Sequence, residues 1–248
     1  SNRASDDAAG LGVSENLRTQ VRGTGQAIRN AQDGIAAITI AEGAANEVSA
    51  LLQRMRELAI QSSNDTLTST ERAYTDAEFQ HLDQEIDRIA AVTNYNDMDL
   101  LSTDANRFGY ATSADDGSVL WVDANNVVGT DSITISIDTL TSTSLSVDTL
   151  TLTQQTSSVN AVSTLDQAIS SVNSMRADMG AYVNRLEHAI NNLTVSNTNQ
   201  QAAESLIRDV DFAAETTQFT RNQILNQSGM AMLSQANIVP QSVLQLLG

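Results

Sequence analysis

Residues 162–193, VSTLDQAISSVNSMRADMGAYVNRLEHAINNL, decide the fold. Val162, Leu165, Ile169, Val172, Met179, Val183, Leu186, Ile190 and Leu193 recur in steps of three and four, and Arg176 is the one polar misfit in the series. Such a repeat keeps one face of an α-helix turned to a partner along its length, so the stretch predicts a helix packed along a narrow seam. Upstream the same spacing runs through Leu17, Val21, Thr24, Ile28, Ala31, Ile35 and Ile38. It continues, after one phase slip, through Ala41, Ala45, Val48, Leu52, Met55 and Ala59. The slip predicts a local change in supercoil. Ser5-Asp6-Asp7 reads as a helix start, with a capping hydroxyl and acids in the first turn, and no proline intervenes before Ser62. A helix roughly 80–90 Å long is expected. Gly23, Gly25, Gly34 and Gly43 each cost such a helix about 1 kcal/mol relative to alanine, so a neighbouring helix or subunit is expected to come close at those positions.

Ser62-Ser63-Asn64-Asp65 ends this first helix, and Thr68-Ser69-Thr70-Glu71 fits a capping box, in which Glu71 reaches back to the cap. The second helix carries Phe79, Leu82, Ile86, Ile89 and Ala90 on one face and ends near Thr93-Asn94. So short a gap makes the two helices antiparallel neighbours. From about 101 to 160 the texture turns to Ser, Thr, Asp and Val. A hairpin is expected between Phe108-Gly109-Tyr110-Ala111 and Val119-Leu120-Trp121-Val122, turning at Asp115-Asp116-Gly117. Ser132 to Ile137 alternates as a half-buried strand does, and Leu145 to Leu152 alternates in the same way. A last helix, about Asp211 to Leu247, has apolar residues around most of its circumference, so it needs partners on more than one side. Pro240 should kink or interrupt it.

Composition narrows the function. The formal charge is −17, from 30 acidic and 13 basic residues, every basic one arginine. So acidic a chain disfavours nucleic acid and anionic membrane surfaces. Cysteine is absent, which removes disulfides and thiol chemistry. No run of about 18 apolar residues is present. Aromatics are 4% of the chain, with one proline, a composition of long helices rather than of a compact globule. His81 and His188 lie in helical patterns and read as solvated surface. No His-Glu-x-x-His, nucleophile elbow or phosphate loop occurs, and the acid pairs fit a cap and a turn. The reading is non-enzymatic, with no cofactor or metal.

Three groups of segments together resemble bacterial flagellin. One is Arg3-Ala4-Ser5-Asp6-Asp7-Ala8-Ala9-Gly10 with Arg29-Asn30-Ala31-Gln32-Asp33-Gly34-Ile35. A second is Leu52-Gln53-Arg54-Met55-Arg56-Glu57-Leu58-Ala59-Ile60-Gln61-Ser62 with Glu85-Ile86-Asp87-Arg88-Ile89. The third is Ala202-Ala203-Glu204-Ser205-Leu206-Ile207-Arg208-Asp209-Val210-Asp211 with Ser234-Gln235-Ala236-Asn237-Ile238-Val239-Pro240-Gln241-Ser242-Val243-Leu244. The resemblance implies a mainly α fold: a long antiparallel coiled-coil-like helix bundle, the core rod, with a small β-hairpin region. Residues 1–102 would supply the N-terminal rod helices and 103–160 a short variable β-hairpin region. Residues 161–208 would be the C-terminal rod helix and 209–248 an inner-tube helix. The chain opens on Ser1-Asn2-Arg3 rather than methionine, so its start, and the N-terminal partner of the inner-tube helix, are expected upstream.

The implied function is a structural subunit, exported unfolded, that polymerises into the extracellular flagellar filament for motility. A hook–filament junction protein or a flagellin-like surface adhesin are the alternatives. The implied partners are other flagellin subunits, a secretion chaperone at the C-terminus, filament cap and junction proteins, and Toll-like receptor 5. The resemblance places receptor contacts at Gln53, Arg54, Leu58 and Glu78. Chaperone or filament contacts fall on the C-terminal helix at Phe212, Phe219, Ile224, Leu225, Met232, Leu233, Val243, Leu244 and Leu247.

Overall fold

A computed structural model describes residues 8–110, 117–125, 127, 129–209 and 212–247, with backbone alone at 212 and 237–247. The elements in chain order are α1 (Ala8–Ser62), α2 (Ser69–Val92), β1 (Asn94–Tyr95), β2 (Met98–Asp99), β3 (Ser118–Trp121), β4 (Ser132–Ile135), α3 (Gln155–Arg208) and α4 (Phe212–Leu247). They divide into two compact units, residues 19–199 and residues 1–18 with 200–248. The Ser5-Asp6-Asp7 cap lies outside the described residues.

Residues 19–199 form a rod of α1, α2 and α3 with the β region laid on it. The Arg72 guanidinium donates to the Ser62 carbonyl and Arg54 meets Glu78, which sets α2 antiparallel to α1. Going down α1, Arg56 meets Asp166, Glu42 meets Arg176, and the Val21 carbonyl accepts from Asn197 at 2.8 Å. The rising α3 numbers make α3 antiparallel to α1 as well. Thr68 caps α2 as expected: its N–H donates to Glu71 Oε2 at 2.7 Å and its hydroxyl accepts from the Glu71 N–H. The Thr68 N–H first, and the Thr68 hydroxyl donating to the same Oε2 at 2.9 Å second, hold the Glu71 carboxyl below its usual range.

The seam of α1 differs from the expected one. Thr24, Ala27, Ala31, Gly34, Ile38, Ala41, Ala45, Val48, Leu52, Met55, Ala59 and Ser62 are all buried and alternate by three and four without a break. The phase slip at Ile38 is therefore absent. Ala27 and Gly34 hold the inner positions that Ile28 and Ile35 were expected to hold, and the two isoleucines flank them, half-buried. At Gly34 the cause is the β region. A Cβ on Gly34 would overlap Leu120 Cδ1, and one on Gly23 would lie 2.9 Å from Ala124 Cβ. Gly25 and Gly43 have no such neighbour among the described residues.

Helix α3 starts seven residues before the expected Val162. Its inner face is Ser158, Ala161, Leu165, Ala168, Val172, Met175, Met179, Leu186 and Leu193, with Val162, Ile169, Val183 and Ile190 half-buried beside it. Arg176 also sits on this flank, where its Nη2 reaches Glu42 Oε1 of α1 at 2.8 Å, and so it is no misfit. Each fully buried leucine on such a face contributes about 1.5–3 kcal/mol. Helix α1 does contain an 18-residue window of mean hydropathy 1.3, apolar and long enough to cross a membrane by length and composition. In the rod Ile38, Val48 and Leu52 of this helix are buried in the seam, while Ile40 and Ile60 are exposed.

The β region corrects two expectations. Strand β3 pairs with β4, Ser118 opposite Ile135 and Trp121 opposite Ser132, and not with residues 108–111. The segment at Gly109 lies beyond β4 instead, where its carbonyl accepts from the Ile137 N–H at 3.0 Å. Asp115 and Asp116 lie outside the described residues. Residues 145–152 form no strand. They fold as successive turns, with the Val147 N–H bonded to the Ser142 carbonyl and Ser146 at φ +57. Val147 and Leu152 are nonetheless fully buried, five residues apart, so the apolar residues pack inward without the two-residue alternation of a strand. A small hairpin was not expected: β1 and β2 pair across Asn96 and Asp97, at φ 52 and 60, the left-handed pair that a tight primed turn requires.

In the unit of residues 1–18 with 200–248, Arg208 lies between Glu204 at 3.3 Å and Glu15 at 3.9 Å. Helix α4 continues through position 240, so Pro240 does not interrupt it.

Candidate functional site

Two surfaces carry the residues singled out in the sequence. The first straddles α1 and α2. Arg54 is exposed, and its guanidinium is shared by Glu78 of α2, with Nη2–Oε1 at 2.8 Å, and Glu57 one turn on, at 3.0 Å. These hydrogen bonds, that to Glu78 foremost, raise the Arg54 pKa. Gln53 and Glu78 are exposed too. The fourth residue is different: Leu58 is 1% exposed and belongs to the hydrophobic core. At this level α1 faces α2 on the Arg54 side and α3 on the Arg56 side, which widens its buried face to take in Leu58 as well as Ala59. The accessible patch is Gln53, Arg54 and Glu78. Glu57 joins it, and the i,i+3 spacing to Arg54 was the available signal.

The second surface is α4. Every described side chain from 213 to 236 is exposed. Phe219 is 67% exposed, Leu225 61% and Met232 72%, and Ile224 and Leu233 are likewise open. These residues recur around the helix rather than along one stripe. The side chains of Phe212, Val243, Leu244 and Leu247 lie outside the described residues. Solvation of so much apolar area is unfavourable, at roughly 25 cal/mol per Å², so this surface favours burial against something else.

His81 and His188 are exposed on their helices, and among the described residues no three His, Asp or Glu side chains are grouped to hold a metal ion. The largest-scale chemistry on view is apolar contact and arginine–carboxylate pairing along rods. That defines a class: a helical structural subunit. Residues 1–106 match the bacterial flagellin N-terminal helical region and residues 162–247 the bacterial flagellin C-terminal helical region. The chain is 45% identical over 246 residues to a flagellin of Halalkalibacterium halodurans, covering 99% of this chain and 86% of that one. Among solved structures it resembles Bacillus cereus flagellin, with TM-score 0.54 and 32% identity over 71% of this chain and 94% of that one. A hook-associated protein of Vibrio parahaemolyticus shares the fold at TM-score 0.63 and 14% identity, covering 82% of this chain and 99% of that one. The chain belongs to the bacterial flagellin family, a family of structural proteins.

Proposed function

We propose that this chain is the repeating subunit of an extracellular flagellar filament, that its role is structural and not catalytic, and that α4 is the surface through which it is chaperoned and then assembled. The observation that supports this best is the run of open apolar residues on α4, including Phe219, Leu225 and Met232, in a chain of this family. Before assembly the same surface suits a secretion chaperone; afterwards, neighbouring subunits, with cap and junction proteins at the filament ends. Assembly is tested with the full-length chain under polymerising conditions by electron microscopy. The wild type forms filaments, and Leu225→Asp combined with Met232→Asp abolishes them. Normal filaments from that variant would overturn the assignment of α4.

A second reading concerns recognition by Toll-like receptor 5. It is supported by the open α1–α2 patch of Gln53, Arg54 and Glu78, in which the two carboxylates hold the Arg54 guanidinium in place. Leu58 acts there by packing α1 from beneath.

A further inference from the structure

Segment 141–152, which leads into α3, is tied to α2 by side chains spaced along one face of that helix. Asp87 accepts from both the N–H and the hydroxyl of Ser142, each at 2.8 Å. Asp76 accepts from the Leu152 N–H at 2.6 Å, and Gln80 donates to the Leu150 carbonyl at 3.0 Å. Positions 76, 80, 83 and 87 fall on one stripe of an α-helix. The fourth member, Asp83, has no such partner: its Oδ1 is buried and accepts no hydrogen bond. The charges that act on it are both negative, Asp87 on its own helix and Asp148 on the segment. The α2 arginines on either side are engaged elsewhere, Arg72 with the Ser62 and Asn64 carbonyls and Arg88 with Glu85.

We propose that Asp83 is a proton-operated latch on segment 141–152. With the proton on, the carboxyl is neutral and the segment closes onto α2 through Asp76, Gln80 and Asp87. With the proton off, a half-buried carboxylate whose Oδ1 is buried faces Asp87 and Asp148 with no cation beside it among the described residues, and the segment loosens between its two tied ends. Burial first, and the two carboxylates second, push the Asp83 carboxyl up to about 6. Folded, the chain therefore keeps a proton on Asp83 between about pH 4 and 6 that the unfolded chain has released. The stability this contributes falls as pH rises through that window.

Two measurements on the folded full chain test the latch. The first is a carboxyl-carbon NMR titration of Asp83, which should give a midpoint near 6 that moves down in Asp148→Asn. The second is amide exchange of residues 142–152 at pH 5 and pH 7.5, corrected for intrinsic rates. Protection should fall by roughly tenfold to a hundredfold at the higher pH, the range set by a shift of up to two pKa units. It should become independent of pH in Asp83→Asn, while the α3 seam amides stay unchanged in both. An Asp83 midpoint near that of an ordinary aspartate would overturn the proposal. So would the same pH response in Asp83→Asn. If that variant does not fold, the wild-type exchange of 142–152 at the two pH values decides together with the Asp148→Asn midpoint, and unchanged protection would overturn the proposal.

Discussion

Helices α3 and α4 are both long, both free of cysteine and lysine, and both carry leucine, isoleucine and methionine, yet they end in opposite surroundings. On α3 the apolar residues follow a three-four repeat, and Leu165, Val172 and Leu186 are fully buried. On α4 Phe219, Ile224, Leu225, Met230, Met232 and Leu233 point in several directions, and all are more than half exposed. The lesson concerns the width of the apolar face rather than its strength. A narrow stripe is satisfied by one or two helices of the same chain. A face that goes most of the way round asks for more neighbours than one rod supplies.

The largest effect that sharpens this contrast comes from putting a charge on each helix. Leu186→Asp buries an unpaired carboxylate in the seam and should destabilise the rod by about 3–5 kcal/mol. Leu225→Asp, on the open helix, should leave rod melting within about 0.5 kcal/mol of wild type. Calorimetry of the two variants checks this, and equal losses would erase the distinction between the helices. The next effect divides the α1–α2 patch. Leu58→Ala should cost about 2–5 kcal/mol, as buried leucines do. Arg54→Ala should cost about 1 kcal/mol or less, as exposed pairs do, and, on the proposed reading of the patch as a Toll-like receptor 5 contact, should lower signalling by the monomer. Melting curves beside a receptor reporter assay would show it, and a Leu58→Ala protein with undiminished stability would return that residue to the surface. The smallest effect separates two glycines of one helix. Gly43→Ala meets open space and should stabilise by about 1 kcal/mol through helix propensity. Gly23→Ala must displace the backbone at Ala124 and should give up most or all of that gain.

What could be read from the sequence was local. The Thr68–Glu71 capping box, the end of α1 at Ser62 and the existence of the helices depend on residues a turn or two apart. The inner register of α1 does not: Gly34 leaves room for Leu120, some ninety residues away, and a search for large apolar residues prefers Ile28 and Ile35. Alternation in 119–122 and 132–137 identified strand-like segments but carried no information about pairing, so β3 was matched to the wrong partner. In 145–152 the backbone groups that a strand would have paired are met by turns and by Asp76 and Gln80 of α2. The turn at Asn96-Asp97 was legible and was overlooked. At the candidate surfaces, exposure of Gln53, Arg54 and Glu78 follows from their helix faces, whereas burial of Leu58 depends on two helices meeting α1 at one level.

The cross-helix ties Arg54–Glu78, Arg56–Asp166 and Arg176–Glu42 use the only kind of cation the chain possesses besides two histidines. Guanidinium groups keep their proton above about pH 12, whereas a lysine ammonium would begin to lose its charge near pH 10. With no cysteine and no lysine, no side chain has its ordinary titration between histidine, at about 6.5, and tyrosine, at about 10. The surface charge therefore stays constant across mildly alkaline surroundings, and the arginine pairs across the helices keep their charge beyond the pH at which lysine pairs would begin to lose it.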